Sequence, residues 1–162
     1  MLLLTVLKFI MMTVTNSNIF VDTNILYYAN DPLSQFGNQA SARLNELANL
    51  NNTLYISAQV IREYSNVTLK NAVRNNLDLA TSVADLSTNV QFFKDNLEVL
   101  YENQNVLIEW QNLLPRLTSH RDLFDFNIAA TLKVYNIPYI LTHNVNDFTK
   151  FSDFITVLPL LA

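Results

Sequence analysis

Residues 18 to 21 read NIFV, a β-rich apolar run that stops at Asp22 and passes at once into the helix-compatible ILYYA. A run so short and so apolar suits a strand covered on both faces. A chain that repeats the pattern must alternate strands with helices, and this one does. Leu54, Tyr55 and Ile56 end at Ser57, a good N-cap for a helix carrying Val60, Ile61, Tyr64 and Val67 as a stripe beside Glu63. PYILT at 138–142 and FITVLP at 154–159 supply two further strands, and a short one is expected around Glu98 to Tyr101.

Helical periodicity fills the intervals. After the break at Asp31-Pro32, Ala40, Leu44, Leu47 and Ala48 fall on one helical face. Leu79, Val83, Leu86, Val90, Phe93 and Leu97 predict one long amphipathic helix packed on the core along its stripe. Residues 104 to 114 form another, with Val106, Leu107, Trp110, Leu113 and Leu114 apolar and Pro115 closing it. LFDFNIAATLKVY is helical again, ended by Asn136 in the left-handed conformation usually given to Gly. The expected fold is α/β, with a central mostly parallel sheet between two helical layers. In such sheets ligands bind beyond the carboxyl ends of the strands, where Asp22, Asn144 and Asp147 all fall.

At 162 residues, half of them apolar, the chain suits one domain with one core. The absence of cysteine excludes disulfides, thiolate nucleophiles and Cys-bound zinc, so any metal must rest on oxygen or on the two histidines. A net charge of −4 and a pI near 5.0 argue against a protein that grips nucleic acid through its overall field. The basic residues are scattered and form no phosphate-binding stripe. Residues 1–17 are expected to be an N-terminal extension and 18–162 the domain. MLLLTVLKFIMMTV looks like a signal sequence, but Lys8 interrupts it, it is too short to span a bilayer, and no small-residue cleavage site follows. A cytoplasmic protein is expected, with export or a membrane anchor as the alternative.

Several acidic residues have two explanations each. Asp22 can cap the helix that follows it or point into the cleft, since Thr23 or Asn24 could cap instead. Glu63 beside its apolar stripe can be a solvated glutamate. Asp122, three residues before Asp125, resembles a capping box. Asp125 precedes a buried helical face, where the helix dipole favours an ionised carboxylate. Asp147 lies in a polar loop, where turn chemistry also explains it. His120 and His143 are too isolated for a zinc pair and are expected at the surface or in hydrogen bonds.

Four segments in order, FVDTNIL, ISAQVIREYSNV, FDFNIAATL and ILTHNVNDF, resemble the PIN domain, in particular the VapC-like toxins of type II toxin–antitoxin pairs. The resemblance implies a PIN-like three-layer α/β/α domain and a metal-dependent endoribonuclease. Asp22, Glu63, Asp125 and Asp147 would hold one or two Mg²⁺ or Mn²⁺ ions, with Thr23, Asn24, Thr142 and Asn144 positioning them. It further implies an RNA substrate, a cognate antitoxin, a homodimer and no membrane. Asp122 is the residue that would replace Asp125 if that placement is off. Two departures from the family pattern are His143, at a position often basic or aromatic, and the long segment before Ile19. Four neighbouring carboxylates repel one another, so without a cation at least one should take up a proton or move apart.

The alternatives are a PIN-like module that binds RNA or protein without cutting, or an α/β phosphoryl-transfer domain. A receiver domain wants a second acid directly after Asp22, where Thr23 stands. An aspartate-nucleophile phosphatase wants an Asp where Asn24 stands.

Overall fold

The computed structural model describes residues 13–161. Asn18–Val21 (β1) lies at the centre of a five-stranded sheet, between Thr53–Ser57 (β2) and Tyr139–Thr142 (β4). Glu98–Leu100 (β3) and Thr156–Pro159 (β5) form the edges, in the order β3-β2-β1-β4-β5. Every pairing is parallel. Ile19, Phe20 and Val21 are fully buried, which is why β1 reads as an unbroken apolar run without alternation.

Helices make the crossovers. Thr23–Asn30 (α1) and Gly37–Asn49 (α2) connect β1 to β2, and Ala58–Arg74 (α3) with Leu79–Asn96 (α4) connect β2 to β3. Gln104–Leu113 (α5) and Leu123–Val134 (α6) lead into β4, and a 3-10 segment, Val145–Phe151, leads into β5. From β1 the chain winds outward through β2 and β3, then returns to the other side of β1 for β4 and β5. The strand order therefore reverses between β1 and β4, and the crevice beyond their carboxyl ends is where such sheets place ligands.

The local signals explain the boundaries. Ser57 accepts from Val60 N at 3.2 Å and Asp78 from Thr81 N at 2.8 Å, capping α3 and α4. With a single glycine available, asparagine takes over the left-handed stops: Asn51, Asn76 and Asn136, with φ of 58°, 54° and 54°, follow α2, α3 and α6.

Three expectations are corrected in detail. Along α4, Leu86 and Phe93 are buried, but Leu79 and Val83 are about half exposed. A helix of 18 residues runs about 27 Å, whereas the three-residue β3 that it feeds runs about 10 Å. The helix overhangs the sheet. On α2 the buried line runs through Ala40, Arg43 and Leu47, leaving Ala48 exposed; Arg43 Nη1 pairs with Glu46 Oε2 at 2.6 Å. Pro115 sits within a 3-10 turn, Leu114–Arg116, that extends α5, and Leu107 faces outward.

The segment just before β1 is tied to the domain. Val14 belongs to the core, and Asn52 Nδ2 donates to its carbonyl at 2.8 Å, while Asn52 Oδ1 accepts from Ser17 N at 3.0 Å. The packed unit thus begins ahead of Asn18. Residues 1–12, most of the expected extension, lie outside the described residues. Among the described residues no helix is long and apolar enough to cross a membrane.

Replacing fully buried Phe20 by alanine should cost about 3–5 kcal/mol in chemical denaturation. Leu33→Ser, at a site 85% exposed, should stay within about 0.5 kcal/mol of the parent. A Phe20→Ala loss as small as that of Leu33→Ser would contradict the central placement of β1.

Candidate active site

Asp22 is the first residue past β1 and caps α1: its Oδ1 accepts from Thr23 N at 2.7 Å. Its Oδ2 accepts from Asn24 Nδ2 at 2.7 Å and from Thr142 Oγ1 at 2.6 Å, the latter from the end of β4. The sequence offers capping and cleft placement as alternatives; the carboxylate caps α1 with one oxygen and bonds across to the end of β4 with the other. Three donors occupy three of roughly four lone-pair sites, and one on Oδ1 is left for a further partner.

Thr142 holds the strand ends together. Its hydroxyl is fully buried, donates to Asp22, and accepts from Asn24 Nδ2 at 3.1 Å and Asn144 N at 3.0 Å, its full hydrogen-bonding capacity. Asn24 Oδ1 accepts from His143 N at 3.0 Å. Asn24 therefore bridges both strands. Asn144 contributes its backbone N–H here, and the residue as a whole is exposed.

Glu63, in the second turn of α3, joins this group through Thr23, whose Oγ1 donates to Glu63 Oε2 at 2.8 Å. Its other oxygen, Oε1, accepts from Gln59 Nε2. Gln59 is buried and also donates to the carbonyl of Phe124 at 3.1 Å, while its Oε1 accepts from Asn127 Nδ2. Gln59 is the positioning residue that the sequence stripe passes over. Its spacing from Glu63, one helical turn, is the signal that could have found it. Glu63 is half-buried and doubly held, where a freely solvated glutamate was the bland alternative.

Asp125 occupies the first turn of α6 and Asp147 the first turn of the 3-10 segment after β4. Burial pushes the Asp125 carboxyl up to about 7, aided by the negative charges of Asp147, Asp22, Asp122 and Glu63. Burial likewise pushes Asp22 up to about 6, against the opposing hydrogen bonds from Thr142, Thr23 and Asn24 and with a further push from Glu63. Asp122 differs. It makes no side-chain cap bond to α6, and its carboxylate pairs with Lys150 and lies well below the usual range because of that partner. The capping-box expectation for Asp122 fails because Lys150 competes for the carboxylate. Asp125, rather than Asp122, feels the other acids as uncompensated charge.

The donors in this crevice are carboxylate, hydroxyl and amide oxygens, the set preferred by hard divalent cations such as Mg²⁺ or Mn²⁺. Among the described residues no Lys or Arg pairs with Asp22, Glu63, Asp125 or Asp147. Nor do three acidic or histidine side chains among them converge tightly enough to hold an ion as they stand. Carboxylates brought closer together would repel one another, and a cation is what offsets such repulsion. The residues fit such an ion in chemistry, charge and the open position on Asp22.

A family model for the PIN domain matches residues 19–153. Among solved structures the chain is similar to VapBC-1 from nontypeable Haemophilus influenzae, with 20% identity, TM-score 0.61, and coverage of 90% of this chain and 99% of that one. It is also similar to VapBC2 from Rickettsia felis bound to a promoter DNA fragment, with 20% identity, TM-score 0.60, and coverage of 86% and 96%. VapC20 from Mycobacterium tuberculosis, described as a sarcin-ricin loop cleaving toxin, matches with 13% identity, TM-score 0.58, and coverage of 85% and 96%. At these identities the likeness is one of fold. No curated protein sequence matches the chain.

Asp22 and Asp125 keep protons in the folded chain at pH values where the unfolded chain, with its ordinary carboxyl value of 3.8, has lost them. Folding then takes up protons between 3.8 and about 7, so the stability of the metal-free protein falls as pH rises through that window. In EDTA the melting temperature should drop between about pH 5 and about pH 8, and Asp125→Asn should flatten the drop. A melting temperature that rises over that interval in the parent, or falls equally in the variant, would contradict the assignment.

Proposed function

The chain belongs to the PIN-domain family, and from that premise we propose that it is a metal-dependent endoribonuclease acting as the toxin of a toxin–antitoxin pair. The observation that carries the proposal is the pairing of Asp22 and Asp125, two carboxyls pushed up to about 6 and about 7 in a crevice where no described cation neutralises them. Structural ion pairs remove such charge, as Lys150 does for Asp122. A site that leaves it uncompensated is suited to a divalent ion.

Asp22, Asp125 and Asp147 are the residues that would hold Mg²⁺ or Mn²⁺, with Glu63 as a ligand or as the base that orients water. A bound divalent ion supplies charge stabilisation at a phosphodiester and acidifies water. The chain's own residues do the rest. Thr23 and Gln59 fix the two oxygens of Glu63, so that its carboxylate can accept a proton from the attacking water without swinging away. Thr142 and Asn24 fix Oδ2 of Asp22, and the Thr23 N–H takes only one of the lone pairs of Oδ1. The Asn144 N–H holds Thr142 Oγ1 and so keeps the loop carrying Asp147 against the site. The sarcin-ricin loop cleaving described for VapC20, and a toxin-antitoxin complex from Klebsiella pneumoniae among the similar structures, support the two halves of the proposal, an RNA substrate and a protein antitoxin.

Purified protein incubated with RNA and Mg²⁺ or Mn²⁺ should produce defined cleavage ends, read by sequencing. Asp22→Asn and Asp125→Asn should each lose about 100-fold or more. Asp122→Asn, which breaks an ion pair outside the proposed ligand set, should remain within about threefold of the parent. Cleavage by Asp22→Asn at the parental rate would overturn the proposal.

A further inference from the structure

One group of side chains at this crevice has no part in the proposed chemistry. His143 directly follows Thr142, the residue bonded to Asp22, and its backbone N–H is held by Asn24 Oδ1. Two aromatic rings flank it. Phe36, from the turn between α1 and α2, lies 4.6 Å from the imidazole centroid at an interplanar angle of 40°, and Tyr28 of α1 meets it edge-on at 5.5 Å. Tyr28 and Phe36 also touch, at 5.1 Å. All three residues are half-buried, so the cluster is neither sealed in the core nor fully in water. Tyr28 borders the acidic group closely enough for the Asp22 charge to push its hydroxyl up, behind the larger effect of burial.

We propose that His143, backed by Phe36 and Tyr28, is a stacking platform for an unpaired RNA base next to the phosphodiester addressed by Asp22 and Asp125. The inference rests on the ribonuclease proposal and adds a substrate feature to it, a single-stranded base at the cleavage position. Base–aromatic stacking tolerates any sequence, because every base presents a π-face, and unpaired bases are the parts of RNA free to be splayed onto a ring. The charge balance of the chain makes such a contact more valuable. With a net charge of −4 and basic residues that form no run along the sequence, uncharged contacts to bases would supply part of its hold on RNA. Three rings from two separate segments, one of them directly after Thr142, place that contact at the site itself.

The test uses single-stranded oligoribonucleotides carrying 2-aminopurine, whose fluorescence is quenched when the base stacks. In EDTA the parent protein should quench the probe in single-stranded RNA and leave a duplex version unchanged. His143→Ala should abolish the quench and, with metal restored, raise KM roughly tenfold while kcat stays within about threefold. His143→Phe keeps a ring and should retain both the quench and the parental KM, an outcome that a role resting on the imidazole nitrogens would not give. A quench and KM unchanged in His143→Ala, with cleavage still lost in Asp22→Asn, would overturn the platform and leave the ribonuclease proposal standing. A ring-dependent quench in a parent protein that cuts no RNA would overturn the ribonuclease proposal and support the platform as an RNA-binding surface.

Discussion

The carboxyl of Asp22 lies almost out of reach of water at the point where the chain reverses its winding from β1 to β4, held by Thr23 N–H, Asn24 and Thr142. Burial pushes the group toward its protonated form, and those three donors oppose it, leaving a carboxyl at about 6. The same bonds join parts of the structure far apart in sequence. Thr142 ties Asp22 to the end of β4, Thr23 passes the connection to Glu63 on α3, and Gln59 carries it to α6, which bears Asp125. The acidic group is thus assembled by its hydrogen-bond donors, with like charges tolerated because two of them share in burial and protonation.

Much of the fold was legible because the strands are short and buried. NIFV, LYI and YILT had no alternation to misread, and the asparagines marked helix ends in a chain with one glycine. Where the sequence fell short, the missing partner was distant. Asp22 presented a choice between cap and cleft because its second oxygen is engaged by a residue 120 positions away. Asp122 and Asp125 look alike locally because the cation that engages Asp122, Lys150, lies 28 residues beyond it. The overhang of α4 depends on the brevity of β3, a property of the sheet that helical periodicity does not carry. Gln59 went unnoted for a different reason. Its amide is buried on a face that the apolar stripe had already accounted for, and only its spacing from Glu63 marked it.

The site combines two kinds of surface that rarely serve a structural purpose together. One is a set of acids that the described protein does not neutralise; the other is a trio of half-buried rings, one of which follows directly on the β4 terminus. A net-negative protein that handles a polyanion must bring in positive charge from elsewhere and must find contacts that do not depend on charge. The proposed divalent ion would meet the first need and the proposed ring platform the second. Both lie at the carboxyl ends of β1 and β4, the position that the sheet's topology reserves for ligands.

The central claim is that Asp22 and Asp125 are held partly protonated until a divalent cation takes the place of the protons. Calorimetric titration of the protein with Mn²⁺, repeated at about pH 6.5 in buffers of different ionisation enthalpy, measures that exchange directly, and about one proton should be released per protein as the site fills. Release should vanish at a pH well above 7, where both carboxyls are already ionised. Saturable binding at about pH 6.5 with no proton released, or no binding at all, would contradict the account.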